Sequence, residues 1–190
     1  FARLPASQIA DAQSRLPDRL HTGQGLTLVL LGFSYEREMV NQAEVRRALS
    51  AALDRRALAQ GIFDGQYLPA EQFTPAGIVA APSSPAIPDA NQKLAQDNYS
   101  AAGYPGCAGA PEPLRLRVPD DDPAWLELGQ AIVEQWSTAL GCTPALFSVE
   151  ELSRTLLIEL AHSTYDAEIV TRPHAWLATW SADYPDAHAW

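Results

Sequence analysis

The sequence predicts an α/β layer fold, because strand and helix patterns alternate along its second half. After residue 110 the order is strand, helix, strand, helix and strand. Strands that are joined through helices in this way run parallel, with right-handed crossovers. The chain has 190 residues, of which 47% are hydrophobic, and this is sufficient for one domain with its own core.

The first half of the chain is predicted to contain three helices and one strand. The strand is an apolar run bounded by glycines, which is typical of a buried strand. Gly103 is expected to end the third helix. Five prolines between residues 61 and 90 exclude a long regular element, so we expect a long crossing loop there. The predicted ranges are a helix at 5–17, a strand at 26–33, a helix at 42–60 and a helix at 91–102.

The second half carries the clearest pattern. Apolar residues alternate with arginines across residues 114–118, which predicts a half-buried strand. Asp122 followed by Pro123 predicts a helix N-terminus, and Gly141 predicts the end of that helix. We expect the strands at 114–118 and 144–149 to be parallel neighbours in one sheet.

Two more elements are predicted towards the C-terminus. Ser148 and Glu151 match the spacing of a capping box, so a helix is expected to begin there. Residues 167–171 (AEIVT) are predicted to form the last strand.

The net charge and the lack of catalytic and nucleotide-binding motifs argue against several classes of function. The chain has 13 basic and 23 acidic residues, and its net charge of −10 argues against nucleic acid and against an anionic membrane surface as partners. There is no run of about 18 apolar residues that would span a membrane. The nucleophile-elbow, dinucleotide-binding and Walker motifs are all missing, and the four histidines lack the spacing of a helical metal pair. We therefore expect no catalytic residue, no metal and no cofactor.

Two small groups of residues allow more than one interpretation. Asp120, Asp121 and Asp122 are interpreted as a helix N-terminus, where the helix dipole favours negative charge, in preference to a cation site. The two cysteines, Cys107 and Cys142, are either free buried thiols or a disulfide formed in an oxidising compartment. Both cysteines are expected near the same end of the sheet.

The last fifteen residues combine aromatic and acidic side chains. Trp176, Trp180, Tyr184 and Trp190 lie close in sequence to Asp183. Aromatic rings beside carboxylates form a wall that can bind organic cations and amines. The alternative is the edge of a core that is capped by polar residues, and the residues alone do not decide between the two.

Four segments of the chain occur in the order found in a known family. Glu44 to Leu58 (EVRRALSAALDRRAL) and Gln92 to Gly106 (QKLAQDNYSAAGYPG) each match a helix of that family, and residues 114–149 match the strand–helix–strand unit that follows. Tyr165-Asp166 and then Trp180 to Asp186 (WSADYPD) match a "Tyr-Asp…Trp-x-Ala-Asp-Tyr-x-Asp" motif. In these segments the chain resembles the family 5 bacterial extracellular solute-binding proteins. It departs from them in the gap between the two halves of the last motif, which is longer than usual.

The resemblance implies a fold and a domain organisation. The fold is a periplasmic-binding-protein-like (type II) lobe, with a mixed sheet, β-α-β units and flanking helices. Residues 1–25 would be a stub of the neighbouring lobe, and residues 26–190 a truncated C-terminal ligand-binding lobe. The start at Phe1, without a methionine or a signal sequence, fits the expectation that the chain is a fragment.

The resemblance also implies a function, which is the solute-binding component of an ABC importer that holds a peptide or similar small solute between two lobes. Asp183 would pair with the ammonium group of the ligand, Trp180 would line a side-chain pocket, and Trp176 is a weaker candidate. The implied partners are this ligand and the ABC transporter permease subunits. The implied protein is a monomer that is periplasmic or extracellular, and a lipoprotein anchor on the full-length protein would be compatible with this location. The alternatives are a sensory or regulatory module with the same fold, or an enzyme with Asp183 and Asp186 as acid and base.

Overall fold

One mixed sheet of four strands organises the part of the chain that the structure describes. The computed structural model describes residues 6–21, 23, 25–63, 66–74, 87–161 and 172–181. The strands are β1 (Thr27–Phe33), β2 (Leu114–Pro119), β3 (Phe147–Leu152) and β4 (Ala175–Ser181). The helices are α1 (Ala6–Arg15), α2 (Ala43–Ala51), α3 (Arg55–Phe63), α4 (Gln92–Ala101), α5 (Pro123–Leu140) and α6 (Arg154–Ala161). The strand order across the sheet is β1-β4-β2-β3, which confirms a mixed sheet with a β-α-β unit and flanking helices.

The unit β2-α5-β3 has the predicted parallel geometry. The two strands pair in parallel along their whole length. Asp122 caps α5, because its Oδ1 atom accepts a hydrogen bond from the backbone N–H of Ala124 at 2.9 Å. Gly141 ends the helix in the left-handed conformation, with φ of 72°. The local signals in the sequence therefore placed this helix correctly at both ends.

Close packing of α5 on the sheet depends on a glycine. A Cβ atom at Gly129 would lie 2.7 Å from Val149 Cγ1 and 2.8 Å from Val118 Cγ1, so only glycine lets the helix approach this closely. Two turns further along α5 the indole of Trp136 is fully buried, and its Nε1–H donates to the carbonyl of Leu49 at 2.9 Å. This bond joins α5 to α2 within one continuous apolar core.

β4 occupies the centre of the sheet. It runs antiparallel to β1 over seven residue pairs and parallel to β2. Its pairing with β2 is limited to Leu116 with Ala175 and Arg117 with Trp176. The strand predicted at 167–171 lies outside the described residues. β4 was not predicted as a strand, although Leu177 on it is 1% exposed and belongs to the core.

The first half of the chain differs from the prediction in three respects. The helix predicted at 42–60 is two helices, because Asp54 begins a new one, with its Oδ1 accepting from the N–H of Ala57 at 2.8 Å. The strand predicted as buried is β1 at the edge of the sheet, and only Leu28 on it is buried. The crossing loop starts later than expected, because α3 continues to Phe63. The helices predicted at 5–17 and 91–102 are confirmed as α1 and α4.

The capping box predicted at Ser148 and Glu151 is wrong. Both residues lie in β3, which follows a short 3-10 turn at Pro144–Leu146 and therefore begins later than predicted. The helix starts at Arg154 instead, and Ser153 Oγ accepts from the N–H of Leu156 at 3.4 Å. The motif fails because pairing with β2 extends β3 over residues that local spacing alone assigns to a helix.

A disulfide joins the segment that follows α4 to the segment that follows α5. The structure bonds Cys107, after α4, to Cys142, after α5, with their Cα atoms 5.4 Å apart. This distance is within the usual range for a disulfide. The bond closes a loop of 35 residues that contains β2 and α5, the central part of the parallel unit.

We expect the Cys107→Ser, Cys142→Ser double variant to lose about 4 kcal/mol of unfolding free energy, because the chain-entropy model assigns this value to a loop of about 35 residues. Urea unfolding of the two proteins measures the difference, and a reducing agent should destabilise the parent chain but leave the double variant unchanged. Two thiols that titrate in denatured, unreduced protein would contradict the bond.

Candidate functional site

The carboxyl edge of the sheet brings several elements together. The parallel strands β2, β3 and β4 all end at this edge, and β1 begins there, where Thr27 Oγ1 and Ser181 Oγ share a hydrogen bond of 2.8 Å. The chain passes outward from β2 to β3 and then returns across β2 to β4, so the strand order reverses between β2 and β4. Open α/β sheets bind their ligands outside the carboxyl ends of strands at such a reversal. This edge is therefore the candidate site.

Trp180 lies at this edge. It is the second-to-last residue of β4, pairs in register with Leu28 of β1, and is 44% exposed. Its indole therefore contributes apolar surface to this edge of the sheet. Asp183, three residues later, lies outside the described residues.

Trp176 lies elsewhere on the same strand. It is four residues before Trp180, which corresponds to about 13 Å along a strand. Its indole is half-buried and lies over Gly32 of β1, where a Cβ atom would overlap the indole ring. The structure therefore does not bring the two tryptophans together, and the Trp176 side chain packs against the neighbouring strand β1.

Arg154 joins three elements at the carboxyl edge. Its Nε and Nη2 atoms donate to the two carboxylate oxygens of Asp121 at 2.6 and 3.0 Å, and Nη1 donates to Thr179 Oγ1 at 3.2 Å. The guanidinium also lies 5.8 Å from the ring centre of Trp125, within the range of a cation–π contact. The hydrogen bond from Arg154 lowers the pKa of Asp121, so this carboxylate is held in its charged form.

The acidic run at residues 120–122 thus has two structural roles. Asp122 caps α5 as predicted, and Asp121 pairs with Arg154, a residue that the sequence analysis did not single out. An arginine at the first position of a helix gives no recognisable local signal, because its partner is 33 residues away in sequence.

His174 is a buried polar junction at the opposite end of β4. Its backbone N–H donates to Arg115 O at 3.0 Å, its carbonyl accepts from Ser34 N–H at 3.0 Å, and its Nδ1 accepts from Arg115 N–H at 3.1 Å. Because Nδ1 is an acceptor, the neutral ring carries its proton on Nε2. Nε2 lies 3.2 Å from Arg37 Nη2 and 3.5 Å from Glu112 Oε1, and Arg37 Nη2 donates to this carboxylate oxygen at 2.5 Å.

The environment of His174 keeps its ring neutral. The side chain is fully buried, and burial lowers the pKa of His174 to about 4. The positive charges of Arg37 and Arg115 act in the same direction, and Glu112 opposes them. Protonation of Nδ1 would also remove the acceptor for the N–H of Arg115. His174 is thus a structural residue of the sheet.

The described residues contain no group of three or more histidine, cysteine, aspartate or glutamate side chains that could hold a metal ion. Within the same part of the chain, none of the helices combines the length and the apolar character needed to cross a membrane.

One protein-family model matches the chain over its whole length. The family model described as bacterial extracellular solute-binding proteins, family 5 Middle, matches residues 1–190. The chain belongs to this family. Family 5 consists of solute-binding proteins that are extracellular, and the proteins below share the fold of this chain. No curated protein sequence matches.

Solved structures share the fold of this family 5 chain. OppA of Burkholderia pseudomallei is 21% identical, with a TM-score of 0.77 over 98% of this chain and 35% of its own. A periplasmic oligopeptide-binding protein of Borrelia burgdorferi is 19% identical, with a TM-score of 0.76 over 98% and 34%. The murein tripeptide binding protein MppA of Escherichia coli is 20% identical, with a TM-score of 0.74 over 98% and 35%. The chain spans about a third of these proteins, and at this identity the likeness shows the fold.

The contact between Gly32 and Trp176 can be tested by a substitution that adds one methyl group at Gly32. We expect Gly32→Ala to displace the indole, to change its fluorescence emission, and to cost about 1–3 kcal/mol of unfolding free energy, the usual range for overpacking. Gly61→Ala is the matched control, because a Cβ atom at this position in α3 meets nothing within 4 Å. The control should stabilise the chain by up to about 1 kcal/mol. Equal stability of the Gly32→Ala variant and the parent would contradict the packing.

The neutral state of His174 predicts a dependence of stability on pH. The unfolded chain binds a proton at His174 below pH about 6.5, whereas the folded chain binds it only near pH 4, so stability falls as the pH is lowered through this window. The full loss is about 3 kcal/mol, at 1.36 kcal/mol for each unit of pKa. Urea unfolding between pH 7.5 and 4 measures this loss.

His174→Asn retains a side-chain acceptor near the position of Nδ1 but has no group that titrates. It should lower stability at pH 7.5 and flatten the change between pH 6.5 and 4. His21→Asn is the control, because His21 is exposed, and it should follow the parent chain. An unchanged pH profile in His174→Asn would show that another group is responsible.

Proposed function

We propose that this chain is the C-terminal lobe of the solute-binding component of an ABC importer, and that the complete protein binds peptides or similar small solutes in a cleft between two lobes. The observation that carries the proposal is the match of the family 5 model to the whole chain. Two of the similar structures bear the names of an oligopeptide-binding protein and a murein tripeptide binding protein, which supports a peptide as the ligand.

The carboxyl edge of the sheet suits this function. Trp180 offers an exposed aromatic surface at the position where α/β sheets receive ligands. Asp183 follows it in the WSADYPD segment, and a carboxylate in a closed cleft forms a strong charge-assisted hydrogen bond with an ammonium group. We propose these two residues as ligand-binding residues. Trp176 stays the weaker candidate, because its half-buried indole packs on Gly32.

The remaining parts of the proposal follow from the family. Permease subunits of an ABC transporter are the proposed partners of the complete protein, which would act outside the cytoplasm as a monomer without a cofactor. Residues 1–25 are proposed to belong to the neighbouring lobe, and residues 26–190 to this one. The chain is proposed to bind its solute without converting it. A disulfide between Cys107 and Cys142 fits an extracytoplasmic location, since disulfides persist in oxidising compartments.

Asp183→Asn in the full-length protein tests the binding site. This change removes the charge but keeps a side chain that can cap a helix, so affinity for a peptide with a free amino terminus should fall by about 1.5–3 kcal/mol, with little loss of stability. Calorimetric titration with tri-alanine and thermal unfolding measure the two effects. N-acetylated tri-alanine is the matched control ligand, because it lacks the ammonium group, and its affinity should not change between the two proteins. Equal affinity of both proteins for tri-alanine would reject the role of Asp183.

A further inference from the structure

A cavity lies between α6 and the two parallel strands β2 and β4. Its volume is about 140 Å3, and most of its wall is apolar. The apolar lining residues are Pro119 of β2, Leu157 and Ile158 of α6, and Leu177 and Ala178 of β4.

The cavity lies just beyond the point where the pairing between β2 and β4 ends. Arg117 and Trp176 form their last pair, and the lining residues Pro119 and Leu177 follow it by two residues and one residue. The cavity therefore lies beside the carboxyl end of β2, near the edge where the strand order reverses. Ligands of open α/β sheets bind at this place.

The polar groups at the cavity already have partners. Arg154 and Thr179 are the polar residues in its lining, and they are hydrogen-bonded to each other at 3.2 Å. The charge of Arg154 is balanced by Asp121, whose carboxylate it binds with two hydrogen bonds. A charged occupant would have to compete with Asp121 for the guanidinium, whereas an uncharged apolar group leaves every one of these bonds in place.

We propose that this cavity is a subsite that binds one uncharged, apolar side chain of the solute. The inference rests on the proposed function, to which it adds a preference for the ligand. A cavity of about 150 Å3 holds a benzene-sized molecule, so this one accommodates a leucine or a group of similar size. Ile158 lies in its wall and is 51% exposed, so this residue faces both the cavity and the solvent.

Single-leucine peptides test the subsite in the full-length protein. The probes are tri-alanine, penta-alanine and the peptides in which one leucine replaces each alanine in turn. We expect leucine at one position to raise affinity about tenfold over the all-alanine peptide, since a few methylenes in an apolar pocket have an effect of this size. Ile158→Trp fills the cavity and should reduce this gain to less than twofold. Leu68→Trp is the matched control, because Leu68 is 68% exposed and lies outside the cavity lining, and it should keep the gain.

Ile158→Ala provides a second measurement that does not depend on tolerance of the larger ring. It widens the cavity and should shift the preference from leucine to phenylalanine at the same peptide position. If the peptides bind but leucine does not raise their affinity, the subsite is wrong and the proposed function stands. The same conclusion follows if leucine still raises affinity in Ile158→Trp and is still preferred to phenylalanine in Ile158→Ala. If none of the peptides binds to the parent protein, the proposed function fails, and the subsite fails with it.

Discussion

The arrangement of the sheet depends on the backbone and imidazole of His174. This residue receives and donates hydrogen bonds that connect the end of β1, the start of β2 and the start of β4. The three strands come from distant parts of the sequence, and this buried junction connects them at one end of the sheet. The imidazole accepts a main-chain N–H only while it is neutral, so the same burial that lowers its pKa also preserves the bond.

Local chemistry in the sequence was sufficient to predict the parallel unit. Alternation at 114–118, the Asp122-Pro123 pair and Gly141 each act within a few residues, and the structure confirms all three. The predictions failed where distant residues decide. Ser148 and Glu151 have the spacing of a cap, yet they belong to a strand that β2 holds in register. Local spacing cannot reveal such a pairing, because the partner strand lies about thirty residues away in sequence.

The candidate site was predictable only in part. Trp180 stands out in the sequence because of its aromatic and acidic neighbours, and the structure places it at an exposed edge. Trp176 belongs to the same cluster in sequence, but its indole lies over Gly32, its register partner on β1. Arg154 and the cavity beside it escaped prediction, because they result from the meeting of α6, β2 and β4. No spacing within any one segment contains that information.

The limited pairing between β2 and β4 has a consequence for the mechanics of the lobe. At its amino-terminal end β4 is held on both sides, by β1 and by β2, whereas its last residues are held within the described sheet by β1 alone. Backbone amides near Trp176 should therefore exchange with solvent more slowly than those near Ser181. A single strand thus combines a firmly held first half with a last part that can change its shape at a lower cost in free energy.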